Sequence, residues 1–337
     1  MKILITGGAG YIGSTIASAL LDRGHSPVII DDLRTGRRDF VEGRTFYEGN
    51  IADISLLRHI IDAHPDIFAT IHCAASVVVP DSVMNPLKYY ENNVSGTISL
   101  VNSLVELGRP RILFSSSASV YQPGVDFSVT EESPVAPGSP YASTKAVIDR
   151  FLSEFSAAEI VEAVSLRYFN PVGADPKMRS GLQHLDPSHV LGKLIIASET
   201  ATPFMITGTQ WPTRDGTGIR DYIHVWDLAE AHVFALENFD LLVRRSATPG
   251  YQLLNVGTGT GTTVRELILA FEDVTGSRLN VRETDPRPGD VAGAFARTLI
   301  LKEELGWNPR LSLRDAISDA LRWKSMFQER NLRQGRP

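Results

Sequence analysis

The chain opens Met1-Lys2-Ile3-Leu4-Ile5-Thr6 and runs directly into glycines at positions 7, 10 and 13. An apolar run of this length suits one buried strand. Beyond it, Ile12, Ile16 and Leu20 recur every four residues, which lays an apolar stripe along a helix; Gly24 follows as its stop. Few folds accept a strand, a glycine turn and a helix in such close succession. Residues without side chains let the backbone turn tightly and approach a pyrophosphate. The helix N-terminus then presents aligned N–H groups and partial positive charge to it. Gly7, Gly10 and Gly13 are therefore candidates to hold a dinucleotide.

A second apolar run, Val28-Ile29-Ile30, ends in Asp31-Asp32, and Asp31 stands 18 residues after Gly13. A carboxylate there accepts hydrogen bonds from a ribose diol and repels a 2′-phosphate, which favours NAD over NADP. Arg34, Arg37 and Arg38 follow closely and bear on that choice. They read as solvated loop charges, with the acid first in line.

Strand-like runs at 2–6, 27–31, 67–72, 110–115 and 160–167 alternate with helical patterns near 12–23, 53–63, 83–107 and 140–158. Such alternation predicts an α/β fold, a Rossmann-type doubly wound parallel sheet covered by helices on both faces. Past residue 170, Pro and Gly punctuate shorter elements, the pattern of a smaller mixed α/β lobe. Leu253-Leu254-Asn255-Val256 looks like a further buried strand that could return to the first sheet, and Thr263-Val264-Arg265-Glu266 like a capping box. The expected division is 1–168 plus about 223–257 for one lobe, and about 169–222 plus 258–330 for the other. At 337 residues and 43% hydrophobic, the chain has material for both. A net charge of −6 argues against a nucleic-acid binder. No apolar stretch reaches membrane-spanning length. The first residues already make a core strand, so no leader is expected. A lone cysteine, Cys73, suits a reducing cytoplasm and reads as buried filler. The histidines show no metal-ligand spacing. The tail from Glu329 to Pro337 is polar and expected to fray.

Ser139-Pro140-Tyr141-Ala142-Ser143-Thr144-Lys145 carries the chemistry. Ser139 suits an N-cap and Pro140 the first helical position. Tyr141 and Lys145, four apart, share a helix face. A free phenol with a pKa of roughly 10 is a poor base at neutral pH. An ammonium and a positively charged nicotinamide ring would favour its anion. Such a pair is also common on ordinary helix surfaces. The strand Ile112-Leu113-Phe114 adds weight, because it ends in hydroxyls from Ser115 to Ser119. Ligands bind beyond the carboxyl ends of parallel strands, where Ser117 could bridge a substrate oxygen to Tyr141. In the second half, Arg220 and Arg287 sit in Gly- and Pro-rich loops. They could clamp a diphosphate bidentately or be plain loop arginines; spacing alone leaves both open.

At these residues the chain resembles the extended short-chain dehydrogenase/reductase family and, within it, its nucleotide-sugar epimerases. The likeness runs from Met1 to about Trp307. It rests on residues 6–14, on Phe114 to Tyr121, on Pro140 to Lys145, on Leu166 to Ala174, on Asp215 to Asp227 and on 287–291. It implies Tyr141 as base, Lys145 as its activator and Ser117 as the hydrogen-bond partner of the sugar 4-oxygen. NAD would be lined by Gly7, Gly10, Tyr11, Ile12, Gly13, Asp31, Asp32, Asn50, Ile51, Ala74, Asn92, Tyr141, Lys145 and Tyr168. Ser117, Asn170, His189, Arg220, Arg287, Asp290 and Ala294 would meet a UDP-sugar. The implied activity inverts C4 of a UDP-hexose through NAD-mediated oxidation to a 4-keto sugar, rotation and re-reduction. The family also implies a homodimer through the helices near 83–107 and 140–158, although these could equally pack within one chain.

Several positions depart from the family's pattern. Asn50 stands for an acid, Val77 for a lysine, His189 for an amide and Leu182 for a glutamate. Ala294 is the small alternative at a position held elsewhere by Tyr, which should leave room for a bulkier sugar such as an N-acetylated hexose. Leu182 removes an acid and lies near Lys177 and Arg179. That charge pattern raises a UDP-uronic acid as an alternative substrate, for a UDP-glucuronate 4-epimerase or, further off, a UDP-glucuronate decarboxylase. A 4,6-dehydratase would need an acid pair after Ser117, where Ala118-Ser119 stand. A regulator that merely senses NAD would be expected to lose Tyr141 or Lys145.

Overall fold

The computed structural model describes residues 1–183, 189–286, 291–297 and 299–333. Seven parallel strands form the main sheet: β1 Lys2–Thr6, β2 Ser26–Asp31, β3 Thr45–Glu48, β4 Ile67–His72, β5 Arg111–Ser117, β6 Glu162–Tyr168 and β7 Tyr251–Val256. Their order is β7-β6-β5-β4-β1-β2-β3. The winding reverses between β1 and β4, which opens a crevice at their carboxyl ends. Alternation along β1 divides the core. Ile3 and Ile5 join the apolar layer under α1 (Tyr11–Asp22) and α6 (Val225–Glu237). Leu4 joins the opposite layer under α2 (Ile54–Ala63), α3 (Gly96–Glu106) and α4 (Pro140–Ala157). Remaining helices used below are α5 (Val190–Thr200), α7 (Val264–Thr275) and α8 (Leu313–Arg333).

Three smaller sheets flank this layer. Thr262–Thr263, Ile219–Arg220, Gly293–Ala296 and Ser128–Val129 make four strands; Tyr222–His224 pairs with Asn170–Val172, and Val281–Thr284 with Phe204–Thr207. One carboxylate clips these parts together. Asp221 is fully buried and accepts from the Thr258 N–H (2.9 Å) and hydroxyl (2.7 Å), the Gly259 N–H (3.0 Å) and the Ala296 N–H (3.2 Å). Four donors offset the desolvation of a buried charge.

The strand expected from 253–256 does return to the main sheet, beside β6. The Thr263–Glu266 capping box is present at α7, and Ser139 caps α4 by accepting from the Ala142 N–H at 3.2 Å. Two expectations differ. The helix anticipated near 83–107 starts at Pro86, after a separate segment Val79–Met84, because Pro86 has no N–H to carry one helix across; from there it is helical through Glu106, with π geometry over Tyr90–Ser95. Of the tail expected to fray, residues 329–333 continue α8, where Arg330 lies over the Trp323 ring at 5.6 Å, and the rest lies outside the described residues.

A polar strut locks the ends of β1 and β4. The Ala74 N–H donates to the Thr6 hydroxyl (3.3 Å), which lies 2.7 Å from His72 Nδ1; His72 Nε2 lies 2.8 Å from the Thr97 hydroxyl, and Thr97 donates to the Asn93 carbonyl. Because Thr97 already donates, His72 must carry its proton on Nε2 and accept from Thr6. Burial depresses His72 to about 3, against roughly 6.5 unfolded. Between those values the unfolded chain binds the extra proton, so this group's contribution is complete above pH ~6.5 and falls as pH drops. His72→Gln should therefore flatten the rise of unfolding free energy with pH across that window by up to about 1.4 kcal/mol per pH unit. Urea titrations at several pH values check this; parallel curves for the two proteins would contradict it.

Candidate active site

The turn after β1 is built as a cradle. Gly7 has φ +69°, and a Cβ there would lie 2.7 Å from the Ala74 nitrogen. A Cβ at Gly13 would meet the Gly7 carbonyl at 2.3 Å, so this glycine lets α1 press against the turn. Gly10 is the N-cap and supplies no side chain to the helix N–H groups, which stay available to an anion. Asp31 is 8% exposed; its carboxylate accepts from the Ala9 N–H (3.0 Å) and the Leu33 N–H (2.8 Å). Burial raises its pKa and those N–H groups pull it back. These residues fit a dinucleotide: an uncapped helix end for the pyrophosphate and a fixed carboxylate with lone pairs left for a ribose diol.

The arginines that follow are committed to acids. Arg34 Nε pairs with Asp32 at 2.6 Å and its Nη2 donates to Asn92 at 2.7 Å, which ties two expected cofactor residues together. Arg37 binds Asp39 (2.8 Å) and Arg38 binds Glu48. Ala74 packs on Gly7. Asn50 accepts from the Ala52 N–H at 2.9 Å on an exposed turn, and Ile51 beside it is partly buried.

A cleft of about 790 Å³ opens at the carboxyl edge of the sheet. Of the expected residues it gathers Tyr11, Ile12, Ser117, Tyr141, Tyr168, Asn170, His189 and Arg220. Tyr141 is 8% exposed and Lys145, one turn below it, is 2% exposed. The Lys145 ammonium donates to the Ser115 carbonyl at 2.7 Å and lies 4.6 Å from the centre of the Phe114 ring. Burial lowers Lys145 to about 8. It also pushes the Tyr141 phenol up to about 12, against a hydrogen bond with Ser117 that draws it down. Ser117 Oγ lies 2.9 Å from Ser119 Oγ. Beneath this strand end, Asp149 accepts from Ser116 (2.9 Å) and Arg167 (2.7 Å), a buried ion pair that stiffens β5 against α4 and β6.

On the far wall, His189 caps α5. Its Nδ1 accepts from the Gly192 N–H at 3.2 Å, so the proton sits on Nε2, which finds no partner among the described residues. Burial lowers this imidazole to about 4. Lys193, one turn on, also lines the cleft; the i, i+4 spacing from His189 was the signal for it. Arg220 reaches the cleft too, with Nη1 donating to the carbonyls of Ile219 and Ala292, each at 2.7 Å. Ala294 pairs with Arg220, a cleft residue, in the small sheet and packs against the apolar cluster around Val120, Tyr121 and Phe169; it is not itself among the residues lining the cleft. Met205 and Thr207 line the cleft with no sequence signal pointing to them. Arg287 and Asp290 lie outside the described residues.

The charge pattern suggested for a uronic acid is not in the cleft. Lys177 pairs with Asp22 at 3.0 Å, and Arg179 with Asp22 (2.8 Å) and Asp175 (2.5 Å). Leu182 does line it. Cys73, expected as buried filler, is partly buried; desolvation raises its thiol to about 11, and it lies 3.1 Å from Ser115 Oγ.

A dinucleotide cradle beside a buried Tyr–Lys pair and a strand-end serine defines an NAD-linked enzyme acting on a hydroxyl-bearing carbon. The sequence profile of the NAD dependent epimerase/dehydratase family matches residues 3–256, and the chain belongs to that family. It is 39% identical to the UDP-glucose 4-epimerase of Bacillus subtilis, over 96% of this chain and 97% of that one. The Azospirillum brasilense UDP-glucose 4-epimerase is also 39% identical, over 97% and 93%. Among solved structures, the UDP-glucose-4-epimerase of Stenotrophomonas maltophila with bound NAD and formylated UDP-arabinopyranose aligns with TM-score 0.91 at 36% identity, covering 98% of this chain and 99% of that one. The Bifidobacterium longum enzyme in complex with NAD+ and UDP aligns with TM-score 0.87 at 30% identity, covering 97% and 98%.

Asp31→Ala removes the acceptor at the end of β2 and should weaken NAD binding about tenfold or more, the worth of one or two charge-assisted hydrogen bonds. Calorimetric titration of NAD into the protein measures it; unchanged affinity would show that the carboxylate serves only the turn.

Proposed function

We propose that the chain is an NAD-dependent UDP-sugar 4-epimerase, an isomerase that inverts C4 of a UDP-hexose. The observation that carries this reading is that Tyr141 and Ser117 line one cleft, with Lys145 buried one helical turn from Tyr141. When bound, NAD supplies a hydride acceptor that returns the hydride to the same carbon, so no external reductant is consumed. Tyr141 takes the proton of the C4 hydroxyl at its phenolic oxygen and returns it to the same sugar oxygen once the 4-keto sugar has turned, so that C4 is re-reduced from its other face and inverted. Ser117 holds the C4 oxygen. Burial opposes a phenolate, so nearby positive charge must offset it; Lys145 carries such a charge below about pH 8. Once sugar covers the cleft, water is excluded and that charge acts at low dielectric.

The substrate's diphosphate is held by the opposite wall. The α5 N-terminus, the His189 Nε2–H, Lys193 and Arg220 supply donors there; the family resemblance assigns Arg287 and Asp290 to the nucleotide as well. Asp31, Asp32, Asn50, Ile51, Ala74 and Asn92 line the adenosine and pyrophosphate side of NAD with the glycine turn; Tyr168 closes the nicotinamide side. The protein acts as a cytoplasmic homodimer. Supporting the dimer, Val83, Met84 and Leu87 are 63%, 81% and 69% exposed on the helical segments after β4, and Ile98 and Val147 add apolar surface on α3 and α4.

Tyr141→Phe should cut turnover by two orders of magnitude or more while leaving NAD bound, read by NMR of UDP-glucose and UDP-galactose. Near-normal turnover would defeat the assignment of the base. Ala294→Tyr should shift preference away from UDP-N-acetylglucosamine toward UDP-glucose by adding bulk beside Arg220; an unchanged ratio of kcat/KM would show that this position does not shape the sugar site.

A further inference from the structure

Behind the Tyr–Lys pair lies a chain of hydrogen bonds that the reaction as described does not use. His232 of α6 is fully buried. Its Nδ1 lies 2.8 Å from the Leu228 carbonyl, an acceptor only, so Nδ1 carries the proton and Nε2 is the acceptor. Nε2 lies 3.0 Å from the Ser115 hydroxyl, which must therefore donate to it. With its proton committed, Ser115 Oγ can only accept, from the Cys73 thiol at 3.1 Å. Every proton in this chain is fixed by the backbone of α6. Its hub is the residue whose carbonyl receives the Lys145 ammonium at 2.7 Å.

We propose that His232, acting through Ser115, is a positioning residue for the Tyr141–Lys145 pair. The side chain of Ser115 is pinned to α6 and its backbone to the ladder of β5 with β6, so the carbonyl that receives the Lys145 ammonium, one helical turn from Tyr141, is held from two sides. Removing the acceptor leaves a buried hydroxyl without a partner. That hydroxyl can turn toward Cys73, which leaves the strand ladder as the one remaining hold on the Ser115 peptide. Lys145 then loses its fixed distance to Tyr141, and a cation's pull on a phenol decays with distance. Sequence gave no hint of this role: His232 sits mid-helix, 117 residues from Ser115.

The inference rests on Tyr141 being the base, so the test separates the two. In the NAD-loaded protein, ionisation of Tyr141 is followed by ultraviolet difference titration against the matching Tyr141→Phe protein. The comparison is made in wild type, His232→Leu, His232→Gln and Ser115→Ala. His232→Leu and Ser115→Ala are expected to raise the Tyr141 midpoint by about one pH unit, tenfold less phenolate at a given pH. His232→Gln, whose amide oxygen reaches the former Nε2 position and still accepts from Ser115, should restore it. If His232→Leu does not fold, Ser115→Ala carries the test alone. A Tyr141 midpoint unchanged in the folded variants, with only the melting temperature lowered, would overturn the inference and leave the chain a structural strut. A wild-type protein that titrates in this way but does not interconvert UDP-glucose and UDP-galactose would instead overturn the proposed activity.

Discussion

An ammonium buried to 2% exposure is the most demanding feature of this molecule. Taking such a charge out of water costs several kcal/mol, and Lys145 answers with a carbonyl at 2.7 Å and an aromatic face at 4.6 Å. Both come from β5. The strand must therefore end where it does, in register with β6 from Arg111 to Ser117, for the Ser115 carbonyl to meet α4. The helix must begin where Ser139 and Pro140 start it, or Tyr141 and Lys145 would face elsewhere. Cap, strand length and buried charge are three views of one constraint.

Much of this was legible because local rules dominate it. Glycine at 7 and 13 is required by backbone contacts under 3 Å, and that requirement reads as a pattern in the sequence. The cap at Ser139 and the capping box at Thr263 are local too. What stayed hidden depends on tertiary placement. The β3 strand, Thr45-Phe46-Tyr47-Glu48, is short and lies at the sheet edge, so no long apolar run announces it. The segmentation after β4 turns on Pro86 within a stretch that otherwise reads as one helix. Lys177 and Arg179 looked available for a substrate carboxylate, but Asp22, over 150 residues away in sequence, pairs with both, and Asp175 takes Arg179 as well. Lys193, unremarked in sequence, holds the cleft position instead.

The two buried histidines illustrate how polar groups survive in such a core. His72 and His232 each have both ring nitrogens engaged and a proton position dictated by a neighbour with no choice. Neutral imidazoles in that setting bridge elements without adding charge near Lys145. A protonated ring at either place would repel the ammonium, and burial keeps both well below neutrality. Polar satisfaction and electrostatics here point the same way.

The central claim is that one carbon loses a hydride to the enzyme-held cofactor and receives the same hydride back. UDP-glucose carrying deuterium at C4, incubated in ordinary water with the protein and no added reductant, tests it directly. The account predicts UDP-galactose with the deuterium still at C4, read by NMR. Product with protium at C4 would mean exchange with solvent, and would contradict the hydride route.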